Sequence, residues 1–229
     1  MLERISHQGL SKDAKELEAL ELMIFDQRSL ILQENILRDP RVKELLSRLK
    51  KFNEDTYQHS LRVGLLSIDL GYGHNIDDLL LTDLAFAAYL HDIGKTEIDL
   101  DILDKKSGLT EEERAAVKQH VRQSIRILGE NGFSERSSAI VASHHESQTR
   151  SYPRAHQERR DGERKGERRG HHEEAQMAGE ILAIADIADA LIWPRAYKLA
   201  LPKEKVREIM MEEFQGDPAL IEEALKRFK

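Results

Sequence analysis

The chain contains no cysteine. Disulfides, thiolate zinc sites and a cysteine nucleophile are therefore excluded, and any metal must be held by histidine and carboxylate. No apolar run approaches the ~18 residues of a membrane span. The opening MLERISHQGLSKDAKELE also lacks the apolar stretch of a signal peptide. The expectation is a cytoplasmic protein with no membrane partner. Positive charge is in deficit, with 35 Lys and Arg against 42 Asp and Glu and a net charge of −7. Nucleic-acid binding needs a basic face to displace counterions from phosphates, so it is not expected. A small anionic substrate held by a local metal or lysine stays open. Proline is scarce, at five, and alternating Val/Ile/Thr-rich segments are absent.

What is present is helical spacing of Leu, Ile and Ala in a chain of 229 residues that is 40% apolar. That length supports one large domain, or one domain with a small appendage. The spacing predicts an all-α fold. A first amphipathic helix is expected over 11–38, where Leu10, Leu17, Ile24 and Ile31 recur seven apart. It should stop at Asp39, because Pro40 biases the residue before it away from helix. A second helix follows over 40–52. The stretch from Leu79 to Leu90 is apolar nearly throughout and should be buried on most faces. Thr110 and Glu113 have capping-box spacing. Residues 181–191, ILAIADIADAL, form another mostly apolar helix interrupted by Asp186 and Asp189. Asp217 and Pro218 match an N-cap with proline in the first helical position.

Residues 154–174, RAHQERRDGERKGERRGHHEE, have one alanine as their only apolar residue. They are expected to form a long, mobile, locally basic loop that buries nothing. His171 and His172 lie in it and are not taken as metal ligands, because a mobile segment is a poor preorganised donor.

The polar residues set into apolar helices are His59, His91, Asp92, His120, His144, His145 and Asp186. A single buried His or Asp is ordinarily a hydrogen-bonded structural residue. Several together carry a large desolvation cost unless they pair or coordinate a cation. Without thiolate, a His/Asp set suits divalent Mn, Fe, Co or Zn.

The order of these residues resembles the HD superfamily of metal-dependent phosphohydrolases, and within it the HD-GYP subgroup. HDIGK at 91–95, the downstream stretch to His120, ASHHE, and ILAIADIADALIWPRAYK carry the resemblance, which covers roughly 53–225. It implies an HD-domain helical bundle over 53–229. Residues 1–52 are too few for a domain of usual size and are expected to form a helical appendage that either packs on the catalytic domain or mediates a homodimer. The resemblance also implies a binuclear centre. One metal takes His59, His91, Asp92 and Asp186, and the other shares Asp92 and adds His120, His144 and His145. The ions would be Fe or Mn, with Zn, Co or Ni as alternatives. Some members hold a third metal through a glutamate one helical turn before the first histidine. Asp55 stands there in this chain, with a shorter side chain that counts against the third site.

The chemistry implied is a cyclic di-GMP phosphodiesterase of signalling type. A hydroxide formed between two cations attacks phosphorus, and Lys95 neutralises phosphoryl charge beside Asp92. Lys118, Arg195 and Tyr152 are further expected substrate contacts. The subgroup's Gly-Tyr-Pro appears here as Ser151-Tyr152-Pro153, and the preceding glycines are missing. Loss of glycine removes easy access to positive φ and close backbone approach, so substrate choice is open at this loop. Two alternatives follow, an HD phosphohydrolase for another nucleotide and a non-catalytic module binding a nucleotide or a protein partner.

Overall fold

The structure, a computed structural model, describes residues 25–103, 105, 108–148, 166–193 and 201–228, with only the backbone for 166–173. Among these the all-helical expectation is borne out. The helices are α1 (Gln27–Arg38), α2 (Pro40–Phe52), α3 (Glu54–Gly73), α4 (Asp78–Leu90), a 3₁₀ turn (Ile93–Glu97) and α5 (Leu100–Leu103). They continue with α6 (Glu111–Lys118), α7 (His120–Glu130), α8 (Glu135–Ser143), α9 (Gly166–Ile192), α10 (Lys203–Glu213) and α11 (Pro218–Lys226). An isolated antiparallel bridge pairs Gln148 with Phe214. No helix among the described residues is long and apolar enough to cross a membrane.

Short polar side chains start most of these helices by accepting hydrogen bonds from otherwise unpaired first-turn N–H groups. Asp39 caps α2 ahead of Pro40, Asn53 caps α3 and Asp77 caps α4. Ser134 caps α8, and Asp217 caps α11 ahead of Pro218. Thr110 and Glu113 form the reciprocal capping box expected at α6.

The centre of the bundle is α3, α4 and α9. Leu65, Leu66, Ile68, Leu81, Leu84, Ile181 and Leu182 are essentially inaccessible there. α8 and α7 pack beside them, and Val42, Leu45 and Leu49 of α2 enter the same apolar core. Leu79 departs from the expectation of burial, at 64% exposed, because it lies in the first turn of α4, beyond the edge of the core.

Two other expectations are corrected. The helix expected over 11–38 starts at Gln27 within the described residues, while 11–24 lie outside them. Asp26 is extended and caps the helix, and its own N–H donates to Asp69 Oδ1 at 2.8 Å. Ser29 Oγ donates to the same oxygen at 2.8 Å. This anchor turns Ser29, Gln33 and Ile36 inward and leaves Ile31 54% exposed, against the seven-residue seam. Second, α9 begins at Gly166, so 166–174 are helical rather than loop; residues 154–165 lie outside the described set. The Glu and Arg residues there are good helix formers, and a helix already anchored by packing from Ala175 onward extends at little cost.

Candidate metal centre

Five segments deliver polar side chains to one buried place. His59 comes from the second turn of α3, and Asp186 from the last third of α9. His91 follows directly on α4, and Asp92 opens the 3₁₀ turn. His120 begins α7, and His144 and His145 follow the end of α8. His59, His91, Asp92, His120 and His144 are each no more than 4% exposed.

Three of the histidines are placed by the same local device. The last carbonyls of a helix have no intrahelical partner, and a histidine just past the end can donate Nδ1–H back to one. His91 donates to Ala88 O at 2.8 Å, His120 to Val117 O at 2.7 Å and His144 to Val141 O at 2.5 Å. The other two use side chains. His59 Nδ1 donates to Asp189 Oδ2 at 2.7 Å, and His145 Nδ1 to Gln148 Oε1 at 2.9 Å. With Nδ1 engaged in every ring, Nε2 is the nitrogen each presents to a ligand, the usual arrangement around a protein-bound metal.

Donor atoms of His59, His91 and Asp186 lie within 4.8 Å of one another, and those of His120, His144 and His145 form a second such group. The groups adjoin, with the His91 and His144 rings 5.4 Å apart between centroids. Asp92 stands between them. Its Oδ2 is 3.4 Å from His91 Nε2 and 3.7 Å from His59 Nε2, and its Oδ1 is 3.5 Å from His120 Nε2.

Tight packing sets these distances. A Cβ on Gly94 would lie 2.0 Å from the backbone carbonyl of His120. Only glycine lets the 3₁₀ turn and α7 approach this closely. Ser124 fastens the contact, accepting from Gly94 N at 2.8 Å and donating to His91 O at 2.6 Å. A Cβ on Gly179 would meet Ser143 Oγ at 2.0 Å, so α9 lies hard against the turn that carries His144.

The electrostatics separate the two groups. Burial pushes His120 down to about 4 and holds His144 and His145 below the ordinary imidazole value, so all three are neutral near pH 7. Burial opposes charge on His59 as well, but Asp186 and Asp189 outweigh it and raise its pKa to about 9. Burial also disfavours ionised Asp92, yet Lys95 and the histidines hold its carboxyl well below the usual range. Lys95 Nζ is 2.5 Å from Asp92 Oδ2.

The residues present fit divalent cations. His144 Nε2 is buried without a hydrogen-bond partner among the described residues, an arrangement that is costly unless something else meets it. The donor set is imidazole and carboxylate, suited to divalent Fe, Mn, Co, Ni or Zn.

The seven residues singled out as paired ligands meet in this centre. Asp55 does not: it is exposed on the first turn of α3 and belongs to neither group. Lys118 is exposed at the end of α6, and Tyr152 and Arg195 lie outside the described residues. Three residues of the site were missed from sequence. Asp189 is 2% exposed and takes bonds from both His59 and Arg62, and Gln148 orients His145. A signal existed for the first pair: Asp189 is three residues after Asp186 in an apolar helix, and Arg62 is three after His59.

The HD domain family matches residues 38–220. A cyclic di-GMP phosphodiesterase of Thermotoga maritima is 35% identical over 193 residues, 81% of this chain and 48% of that protein. The 3'3'-cGAMP-specific phosphodiesterase 2 of Vibrio cholerae is 27% identical over 241 residues, 99% of this chain and 43% of that protein. The chain thus spans less than half the length of either relative. The HD domain of the L. monocytogenes phosphodiesterase PgpH, solved in complex with cyclic-di-AMP, is 19% identical with a TM-score of 0.54. That match covers 80% of this chain and 93% of the PgpH domain, and shows the shared fold.

Proposed function

The chain belongs to the HD-domain family, and from that premise we propose that it is a metal-dependent phosphodiesterase of cyclic dinucleotides, cyclic di-GMP first among them. One observation carries the reading: two groups of buried donors, each histidine locked through Nδ1, with Asp92 directing one oxygen to each group. His59, His91, Asp186 and Asp92 would hold one divalent ion, and Asp92, His120, His144 and His145 the other. Iron or manganese suits this set, with Zn, Co or Ni as alternatives. Two such ions supply Lewis acidity and a water-derived nucleophile near neutral pH.

The chain's own groups do the rest. The helix-end carbonyls, Asp189 and Gln148 hold the five rings in one tautomer. Lys95 brings positive charge to within 2.5 Å of Asp92 and is placed to neutralise a phosphoryl oxygen beside it. The packed walls of α3, α4 and α9 exclude water from behind the centre. Protein purified without chelator should contain two ions per chain and hydrolyse a cyclic dinucleotide once loaded with Fe or Mn. The panel should hold cyclic di-GMP, 3'3'-cGAMP, linear dinucleotides and nucleoside phosphates. Turnover of nucleoside phosphates alone would move the substrate to another nucleotide; metal-replete protein with no turnover would leave a binding module.

A further inference from the structure

We propose that the two metal positions are unequal, the His59–His91–Asp186 position being the tighter, and that Asp189 braced by Arg62 is the positioning residue that makes it so. This rests on the binuclear reading above.

The asymmetry lies behind the ligands. His59 donates to a buried carboxylate at 2.7 Å, whereas His91, His120, His144 and His145 donate to neutral oxygens. A charged acceptor strengthens the hydrogen bond and makes the opposite ring nitrogen a better donor to a metal. Asp189 is itself fixed: Arg62 Nε donates to Oδ1 at 2.6 Å and a second guanidinium nitrogen to Oδ2 at 3.0 Å. The guanidinium in turn lies over the Trp193 ring, 5.0 Å from its centroid. Asp186 adds a carboxylate 3.2 Å from His59 Nε2.

The second position has nothing comparable. None of its three histidines donates to a carboxylate, and Asp92, whose Oδ1 lies 3.5 Å from His120 Nε2, is shared with the first position. Asp186 and Asp189 both stand beside His59; Arg62 offsets one of these two charges and Lys95 sits on the shared Asp92, which leaves the first position one net negative charge ahead. His145 depends on Gln148, whose segment is held by backbone pairing to Phe214 and by Gln215 N donating to Ser147 O at 2.8 Å. The ion there should be the exchangeable one.

The full chain, stripped with chelator and titrated with Mn²⁺ by calorimetry, should show two binding phases separated by at least about tenfold in Kd. Asp189→Asn should weaken the tight phase about 10–100-fold and leave the loose phase within about twofold. Gln148→Leu should do the reverse. If Asp189→Asn does not fold, Arg62→Lys tests the same bond, because it keeps the charge but loses the fork; the tight phase should again weaken alone. Two equal phases in the native chain, or equal weakening of both by Asp189→Asn, would overturn the proposal while leaving the binuclear centre standing. Fewer than two bound ions at saturation would overturn the binuclear reading and the proposal with it.

Discussion

The Asp83 cluster and the histidine centre are both polar groups buried in one helical core, and they are built in opposite ways. Asp83, 6% exposed, accepts from Ser134 Oγ at 2.5 Å and Ser137 Oγ at 3.0 Å on one oxygen. Its other oxygen takes Arg136 Nε at 2.6 Å. Asp69 is similar, meeting the backbone of Asp26, Ser29 and Arg227. Each carboxylate is met by donors from the chain itself, so the network is closed. In the histidine centre the Nδ1–H donors point away, to carbonyls and side-chain oxygens, and His144 Nε2 and the oxygens of Asp92 and Asp186 remain inside. Lys95 meets one oxygen of Asp92 and His59 lies 3.2 Å from Asp186. His144 Nε2, however, has no donor among the described residues, so acceptors remain in surplus there, which is the condition a cation relieves. Closure marks an architectural cluster, and a surplus of inward lone pairs marks one made for a guest.

Four experiments would break or sharpen this contrast. The largest effect is expected from His91→Ala with Asp92→Ala, which should lower metal-dependent hydrolysis by more than about 1,000-fold while the apoprotein stays helical by circular dichroism. Retained turnover would remove the assignment of the centre. Asp83→Ala should act on stability instead. It strips Arg136 and two serines of their shared acceptor and should cost about 3 kcal/mol in a urea titration, with specific activity of the folded fraction unchanged. If activity falls with no change in stability, Asp83 is not architectural.

Gly94→Ala lies between these cases, since the added methyl runs into the His120 backbone carbonyl. A destabilisation of about 2 kcal/mol should come with a weaker second metal site, because His120 moves with α7. The smallest effect concerns pH in the metal-free protein. His120 titrates near 4 when folded and near 6.5 when unfolded, so acidification protonates the unfolded chain first. Its contribution to stability should therefore fall as pH drops from about 6.5 towards 4, and His120→Gln should flatten that part of the curve. His59 works the other way. Its folded pKa is raised to about 9, so its contribution is full below about 6.5 and fades as pH rises through 9. The melting temperature of metal-free protein across pH 4–10 checks both signs.

Much of this molecule is written locally. Asp39-Pro40, Thr110 with Glu113, and Asp217-Pro218 announce their helices because a cap is a contact within a few residues. His59, His91, Asp92, His120, His144, His145 and Asp186 stand out because each interrupts an apolar helical pattern. Where a choice depended on distant partners, the pattern misled. Ile31 repeats the seam of the residues before it, yet Asp69, 38 positions away, decides which face of α1 is buried. The helix through 166–174 is supported from Ala175 onward, by packing no composition reports.

The residue types, the helix ends and the want of any thiolate were therefore settled by the order of amino acids alone, since each follows from backbone geometry and neighbours within one or two turns. Tertiary structure alone decided which carboxylate braces His59, that Gly94 must be bare to admit the His120 carbonyl, and how Asp92 divides its oxygens between two groups of donors. Those choices are distances between helices, and a distance between helices exists only once the core beneath them has packed.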